Sequence, residues 1–298
     1  MSSAPTRRRA HASPGDASSV DAFVPIHSVP VRHWGQMATA AIIVVLGAAF
    51  VYSLAENPNI AWDVVFENLT ATDVLEGLVV TFQLTLVGMA IGLVLGVLLA
   101  IARLSNNRVL QSISATYVWF FRGVPLLVQI LIWGNFALLF PRLGLGIPFT
   151  DIMFFSVDTN VVLTTFVAAC VALGLHEAAY MAEVVRGGIL GVDTGQAEAG
   201  VALGMTSAQC MRRIVLPQTM RIILPPTGNQ LITLLKSSSL VSVIAGQDLM
   251  TAVTSIGATN YRVIELLLVA TFWYLVIVSI LSVGQRMLEK RASRGHHR

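Results

Sequence analysis

Apolar and polar positions fall along this chain in long blocks rather than in a fine alternation, and that block pattern predicts membrane spans separated by short charged segments. Residues 38–55 are uncharged for 18 positions, about 27 Å as a helix, which just crosses a hydrocarbon core of about 30 Å. An acidic segment with Glu56, Asp63, Glu67, Asp73 and Glu76 and no basic residue follows, as expected of an outer loop. Residues 77–102 are uncharged for 26 positions and form the second predicted span. Residues 109–122 read as an interfacial helix, residues 123–140 as a third span carrying Pro125, Gln129 and Asn135, and residues 141–158 as a second outer loop with Pro141, Pro148, Asp151 and Asp158. The fourth span begins near Thr159 and continues past Leu175 into HEAAYMAEVVRGG, so its inner end holds His176, Glu177, Glu183 and Arg186. The fifth starts after Pro217, passes Pro225 and Pro226 and runs to about Gln247; residues 248–262 lie outside, and residues 266–285 form the sixth. The pattern predicts an all-α polytopic membrane protein of six helices.

Between the fourth and fifth spans lies a polar stretch, DTGQAEAGVALGMTSAQCMRRIVLP, residues 193–217. Asp193 with Gln196 fits a capping box that starts one helix, and Gly204 supplies the left-handed residue that stops it. Thr206 with Gln209 repeats the capping-box spacing, Met211, Ile214 and Val215 give the second helix an apolar side, and Pro217 is expected to end it. Two short helices therefore meet at a glycine.

Composition and charge support the spans. The chain has 298 residues, 55% of them hydrophobic and 12% charged, about half the charge of an ordinary soluble domain. Its net charge of +3 is a matter of orientation. Sixteen of the 19 basic residues fall in the regions read as inner: Arg7, Arg8, Arg9 and Arg32; Arg103, Arg108 and Arg122; Arg186, Arg212, Arg213 and Arg221; Arg286, Lys290, Arg291, Arg294 and Arg298. Arg142 and Arg262 lie outside and Lys236 lies within a span. That bias places both termini in the cytoplasm and leaves no need for a nucleic-acid partner. Residues 1–36 read as a disordered cytoplasmic tail, 37–76 as an additional first span with its outer loop, and 287–298 as a basic cytoplasmic tail.

Several chemistries find no support. The two lysines, Lys236 and Lys290, follow Leu235 and Glu289, so no Walker A phosphate loop is present. The six histidines are scattered, with only His176 near a span, and no metal-ligand cluster forms. Cys170 and Cys210 sit in different environments and offer no disulfide framework.

Charges at membrane depth are the informative exceptions. A lone lysine at mid-span costs roughly 2.5 to 3.5 kcal/mol, so Lys236, with Ser237, Ser238, Ser239, Asn229, Gln230 and Thr233 nearby, is expected to line or brace a polar cleft or to anchor an interhelical hydrogen bond. Arg122 reads either as an interfacial cation or as a pathway residue. Glu183 and Arg186 have the spacing to neutralise each other. Glu177 has no basic neighbour on its own helix, which leaves Lys236 or Arg122 as partners across helices.

The stretch at 193–217 resembles the EAA loop of the membrane subunits of ABC importers: Glu198 and Ala199, three residues, Gly204, nine residues, then Ile214, Leu216 and Pro217, with Gly200 where that family usually has a second alanine. A glycine there costs a helix up to about 1 kcal/mol relative to alanine. Residues 77–286 as a whole resemble the polar amino-acid branch of these permeases, the histidine, glutamine and glutamate permease-like family, through GLVVTFQLTLVG, IARLS, FRGVPLLVQ, AYMAEVVRGGI and LPPTGNQLITLLKSSSLVSVI. The resemblance implies a five-helix type I permease core with the first span added to it. It further implies a bacterial cytoplasmic-membrane subunit that passes a polar amino acid received from an extracytoplasmic binding protein, beside a second permease subunit, identical or paralogous. Two ATP-binding cassette subunits would dock on Glu198, Ala199, Gly204, Ile214, Leu216 and Pro217. No cofactor is expected on this chain, ATP and Mg being used by the partner ATPase, and the candidate pathway residues are Arg122, Glu177, Glu183, Asn229, Lys236, Ser238 and Ser239. An ion-coupled secondary transporter is the alternative, but the inverted repeats it would need are not visible, and no nucleophile–base pair points to a membrane enzyme.

Overall fold

A computed structural model describes residues 34–146 and 153–293. The expected N-terminal tail before residue 34, the loop residues Pro148 and Asp151, and residues 294–298 lie outside the described residues. The chain divides into two compact units, Met1–Pro58 and Asn59–Arg298.

In the first unit, α1 (Trp34–Ala55) is a 22-residue helix with no buried residue. It is apolar around its whole circumference, the pattern of a membrane-spanning helix.

The second unit begins with α2 (Trp62–Asn68), α3 (Thr72–Leu104), α4 (Arg108–Gly123), α5 (Leu126–Gly134) and α6 (Phe136–Leu139). A hairpin of β1 (Arg142–Gly146) and β2 (Met153–Asp158), with Arg142 opposite Asp158, then leads into α7 (Thr159–Val162) and α8 (Thr165–Leu190). The polar stretch 193–217 follows as a handle made of α9 (Thr194–Ala202), α10 (Ser207–Cys210) and a π turn at Met211–Val215. α11 (Leu216–Ser237), a 3-10 turn at Ser238–Ile244, α12 (Leu249–Asn260) and α13 (Val263–Ser293) complete the chain. Among the described residues the fold is thus helical but for one short hairpin.

Helices α3 and α8 form the central seam. Gly88, Gly92 and Gly96 lie on one stripe of α3, and a Cβ added to them would meet Leu173 at 3.2 Å, Glu177 at 2.6 Å and Met181 at 2.6 Å respectively. Small residues four apart let two backbones approach in this way. The constant offset between those partners means that α3 and α8 run parallel, so the chain must cross back between them. Around the seam, Leu84, Ile130, Leu173, Leu234 and Val241 join α3, α5, α8 and α11 into one core. Val65, Val74, Leu249, Val253, Leu266 and Val269 join α2, α3, α12 and α13 into a second.

Four described helices are long and apolar enough to cross a membrane alone, and two bent pairs raise the number to six within those residues. The helices differ from expectation in the extent of the third span and the start of the fifth. Residues 123–140 are not one continuous helix: α5 has nine residues, about 14 Å of rise, and ends at Gly134 before the single turn of α6, while a 98° bend separates α5 from α4, the expected interfacial helix. Pro125 is the cause. It has no N–H to donate and forces the preceding residue out of the α region, and Val124 duly has φ −89° and ψ 128°.

The fifth helix does not begin after Pro217. Helix runs from Ser207 through the π turn into α11, with Pro217 in the first turn of α11. Leu216 N donates to the carbonyl of Met211, so the widened turn takes up the register change and places the proline where its missing donor is not needed. The expected outer segment 248–262 is also largely helical. Asp248 caps α12 by accepting from Met250 N at 3.1 Å and Thr251 N at 3.3 Å, and Leu249, Val253 and Gly257 form the buried stripe of that helix. The acidic segment after α1 contains α2, tied to α13 by Ala61 N donating to Glu265 Oε1 at 3.1 Å and Trp273 Nε1 donating to Leu69 O at 3.0 Å.

Candidate functional site

Two places gather the candidate residues. The first is the handle. Gly204 has φ +81°, Gly204 N donates to Val201 O at 2.9 Å and Met205 N to Gly200 O at 3.0 Å, the paired bonds of a Schellman turn that ends α9. The expected box at Thr206 is complete: Gln209 N donates to Thr206 Oγ1 at 3.3 Å and Thr206 N to Gln209 Oε1 at 2.9 Å. The expected box at Asp193 is not formed. Asp193 Oδ1 accepts instead from Gly195 N at 2.8 Å, and Gln196 N donates to the backbone carbonyl of Asp193. The second handle helix is the start of a long one, for the reason given by the π turn.

Gly200 also gains an explanation. A Cβ there would meet Cys210 Sγ and Ile214 Cδ1, each at 2.8 Å, so the glycine lets α9 lie against the helix that follows. What it costs α9 in helix propensity is offset by close packing. Ile214 is consequently turned inward, while Glu198, Ala199, Leu216 and Pro217 are exposed and the tip offers Val201, Leu203 and Met211, Leu203 being 85% exposed. Buried apolar residues hold the handle's shape, and exposed ones form its outer surface.

The second place is polar and lies between the elements of the core. A cavity of about 470 Å³ is lined by Arg122, His176, Glu177, Tyr180, Gln230 and Thr233 among others. An adjoining one of about 350 Å³ shares Arg122, Tyr180 and Gln230 and adds Glu183 and Asn229. Glu177 is 3% exposed and its Oε1 has no hydrogen-bond partner; it pairs with neither Lys236 nor Arg122. Arg122 lies 5.2 Å from the centroid of the Tyr180 ring, a cation–π distance. Arg186 Nη2 contacts Glu183 Oε2 at 2.6 Å, the pair expected from their spacing.

Gln129 supports the wall of this site formed by Val124 and His176. It is buried, and its Nε2 donates to Phe121 O at 3.0 Å and Val124 O at 2.8 Å, carbonyls released by the break at Pro125, and lies 3.1 Å from His176 Nδ1. Tyr117 Oη donates to Leu175 O at 2.8 Å and ties α4 to α8 nearby.

Three candidates lie away from the cavities. Lys236 is exposed on α11; it lines neither cavity, although Asn229 and Thr233, on the same side of that helix, each line one. Ser238 donates to Leu235 O and Ser239 to Lys236 O, both at 2.7 Å, so both hydroxyls serve the 3-10 turn.

A family model for the binding-protein-dependent transport system inner membrane component matches residues 92–294. The chain belongs to that family. The arginine transport system permease protein ArgU of Corynebacterium glutamicum is 44% identical over 285 residues, 95% of this chain and 88% of that protein. The arginine transport system permease protein ArtQ of Bacillus subtilis is 37% identical over 218 residues, 73% of this chain and 91% of that one. Among solved structures, an amino acid ABC transporter matches with a TM-score of 0.63 at 33% identity, covering 74% of this chain and 94% of its own. This permease is therefore a multi-pass inner-membrane transport component with the type I importer fold, and nothing favours an ion-coupled secondary transporter. The seam glycines of the permease were not among the residues singled out by sequence, although the repeat of glycine at 88, 92 and 96 was the available signal; Gln129 was named only as a polar residue of the third span, without its carbonyl partners.

Proposed function

We propose that this permease forms the pathway for a polar amino acid handed over by an extracytoplasmic binding protein and driven by ATP hydrolysis in separate cassette subunits that use Mg. The observation that carries the reading is the polar cavity. A buried carboxylate with an unpartnered oxygen is costly unless a cation or donor reaches it, and Glu177 together with Arg122 offers opposite charges for the two ends of a zwitterion. Relatives named for arginine, glutamine and cystine transport support an amino-acid cargo.

In this reading Arg122, Glu177, Glu183 and Asn229 line the route, and Lys236 stands on the open side of α11, which a second permease subunit covers. Ser238 and Ser239 brace the turn that ends that helix. The handle docks into a groove of the cassette subunit through Val201, Leu203 and Met211, with Glu198 at its edge, and both termini lie on the handle's side of the membrane. Reconstitution with the cassette and binding proteins tests it. Glu177→Gln and Lys236→Met should lower ATP-dependent uptake at least about tenfold while the complex still assembles. Uptake that survives ATP depletion and falls with the ion gradient would overturn the reading. Cysteine labelling tests the orientation: a probe at Ser293 that reacts from outside intact cells, with one at Asp63 silent, would reverse it.

A further inference from the structure

Where α8, α11 and α13 approach the handle, the structure holds a cavity of about 970 Å³ that the transport reading does not use. Its wall carries Arg221 on α11 and Arg286 and Lys290 on α13, against Asp193 and Glu289. Both carboxylates are engaged: Asp193 Oδ1 accepts from Gly195 N, and Glu289 Oε1 from Gln285 Nε2 at 2.8 Å. Neither Arg221 nor Arg286 makes a hydrogen bond or ion pair among the described residues. Val192, Ile222 and Pro225 complete the wall with apolar surface.

Two exposed guanidinium groups beside apolar wall, at the ends of membrane spans, select an amphiphilic anion. Arginine matches phosphate with two parallel N–H donors, and anionic headgroups gather basic residues at the membrane surface. A second, almost wholly apolar groove of about 650 Å³ borders the same Glu289 and runs along α11 and α13 past Leu231, Ile280 and Leu288 to Leu86 and Leu93 of α3. A phosphate head with acyl chains fits the pair of surfaces; a free phosphate fits only the first.

We propose that this cavity is a binding site for an anionic glycerophospholipid of the leaflet on the handle's side, its phosphate held by Arg221 and Arg286. A lipid seated there would wedge the root of the handle, Gly191 to Gln196, against α11 and α13.

The test uses the permease with its cassette subunits, purified in a neutral detergent, and measures bound lipid by native mass spectrometry against added phosphatidylglycerol or phosphatidylcholine of the same chains. Phosphatidylglycerol should bind preferentially, and the Arg221→Gln, Arg286→Gln double variant should lose that preference by about tenfold or more. Glu198→Gln, on the handle's outer surface, should keep it. In the unaltered complex, raising salt should erode the preference for phosphatidylglycerol, a measurement that needs no variant to fold. Equal binding of the two lipids by the unaltered complex overturns the proposal. So does thermal stabilisation by inorganic phosphate equal to that by phosphatidylglycerol, or a double variant that sheds cassette subunits while its lipid preference is unchanged.

Discussion

The handle and the α3–α8 seam are both helix-on-helix contacts built around glycine, yet Gly204 at the handle's turn and the seam glycines do opposite things. In the handle, Gly204 has open space around it and is required for its backbone, φ +81°. In the seam, Gly92 and Gly96 have ordinary helical backbone and are required for the space they leave to Glu177 and Met181. One region is specified by residues a few positions apart, the other by residues more than eighty positions apart. Their failures should differ accordingly: a wrong residue in the handle alters a local conformation, whereas a wrong residue in the seam forces two spans apart.

The largest effect is expected at Gly96→Val. The added Cβ alone would stand 2.6 Å from Met181 Cβ and about as close to immovable backbone, 3.0 Å from Ala182 N and 3.1 Å from Ala178 O. Overpacking of this kind costs about 3 kcal/mol or more, so the purified variant should lose most of its folded, monodisperse fraction in fluorescence-detected gel filtration after mild heating. Gly187→Ala is the control on α8, because nothing lies within 4 Å of a Cβ there. Equal behaviour of the two variants would dissolve the distinction between the regions.

Gln129→Leu should rank next. It strips the carbonyls of Phe121 and Val124 of their side-chain donor in a buried setting, a loss of about 2 kcal/mol. The melting temperature should fall by less than for Gly96→Val, and uptake should fall with it because the bracket shapes the cavity beside His176. A variant with full stability and full uptake would show that Pro125 alone fixes the bend.

The same contrast explains what could be read from sequence. Caps, the left-handed glycine and the apolar blocks are local, so Thr206 with Gln209, the turn at Gly204 and the long helices were legible. The Pro125 break was visible as a proline but not as a 98° bend, since nothing local announces that Gln129 reaches back to the two carbonyls the break releases. Pro217 misled because a π turn five residues long precedes it, and nothing local announces one. Segment 248–262 was read only as an outer segment, although Leu249, Val253 and Gly257 already had the helical spacing of α12. In the cavity, Glu177 was recognisable as an isolated carboxylate. Its lack of a cationic partner depends on where α4 and α11 pass, which only the assembled core decides.

Gly204→Val and Gly204→Asn sharpen the handle's side of the comparison. A β-branched residue at positive φ costs at least about 1 to 2 kcal/mol, and asparagine tolerates that region better. With no neighbour within 4 Å, the difference between the variants reports backbone conformation and not collision. Valine should abolish most of the stimulation of ATP hydrolysis by loaded binding protein, asparagine should retain much of it, and the melting temperature should barely move for either. Equal losses for both would mean that the tip is read by its shape at Gly204 rather than by the turn.

The smallest effect is expected at Thr206→Ala. Thr206 Oγ1 accepts from Gln209 N, and its own N–H is held by Gln209 Oε1; removing the hydroxyl leaves the first bond unmade at an exposed site where water replaces it. Such cap losses cost about 1 kcal/mol, and here the cost should stay in the turn because α10 continues into the π turn and α11, whose packing lies elsewhere. Amide exchange at Gln209 should quicken about fivefold, with no change at Met181 or Ala182 in the seam. A drop in global melting temperature approaching that of Gly96→Val would instead show that handle and seam unfold as one unit, and that the local logic of the handle depends on the core after all.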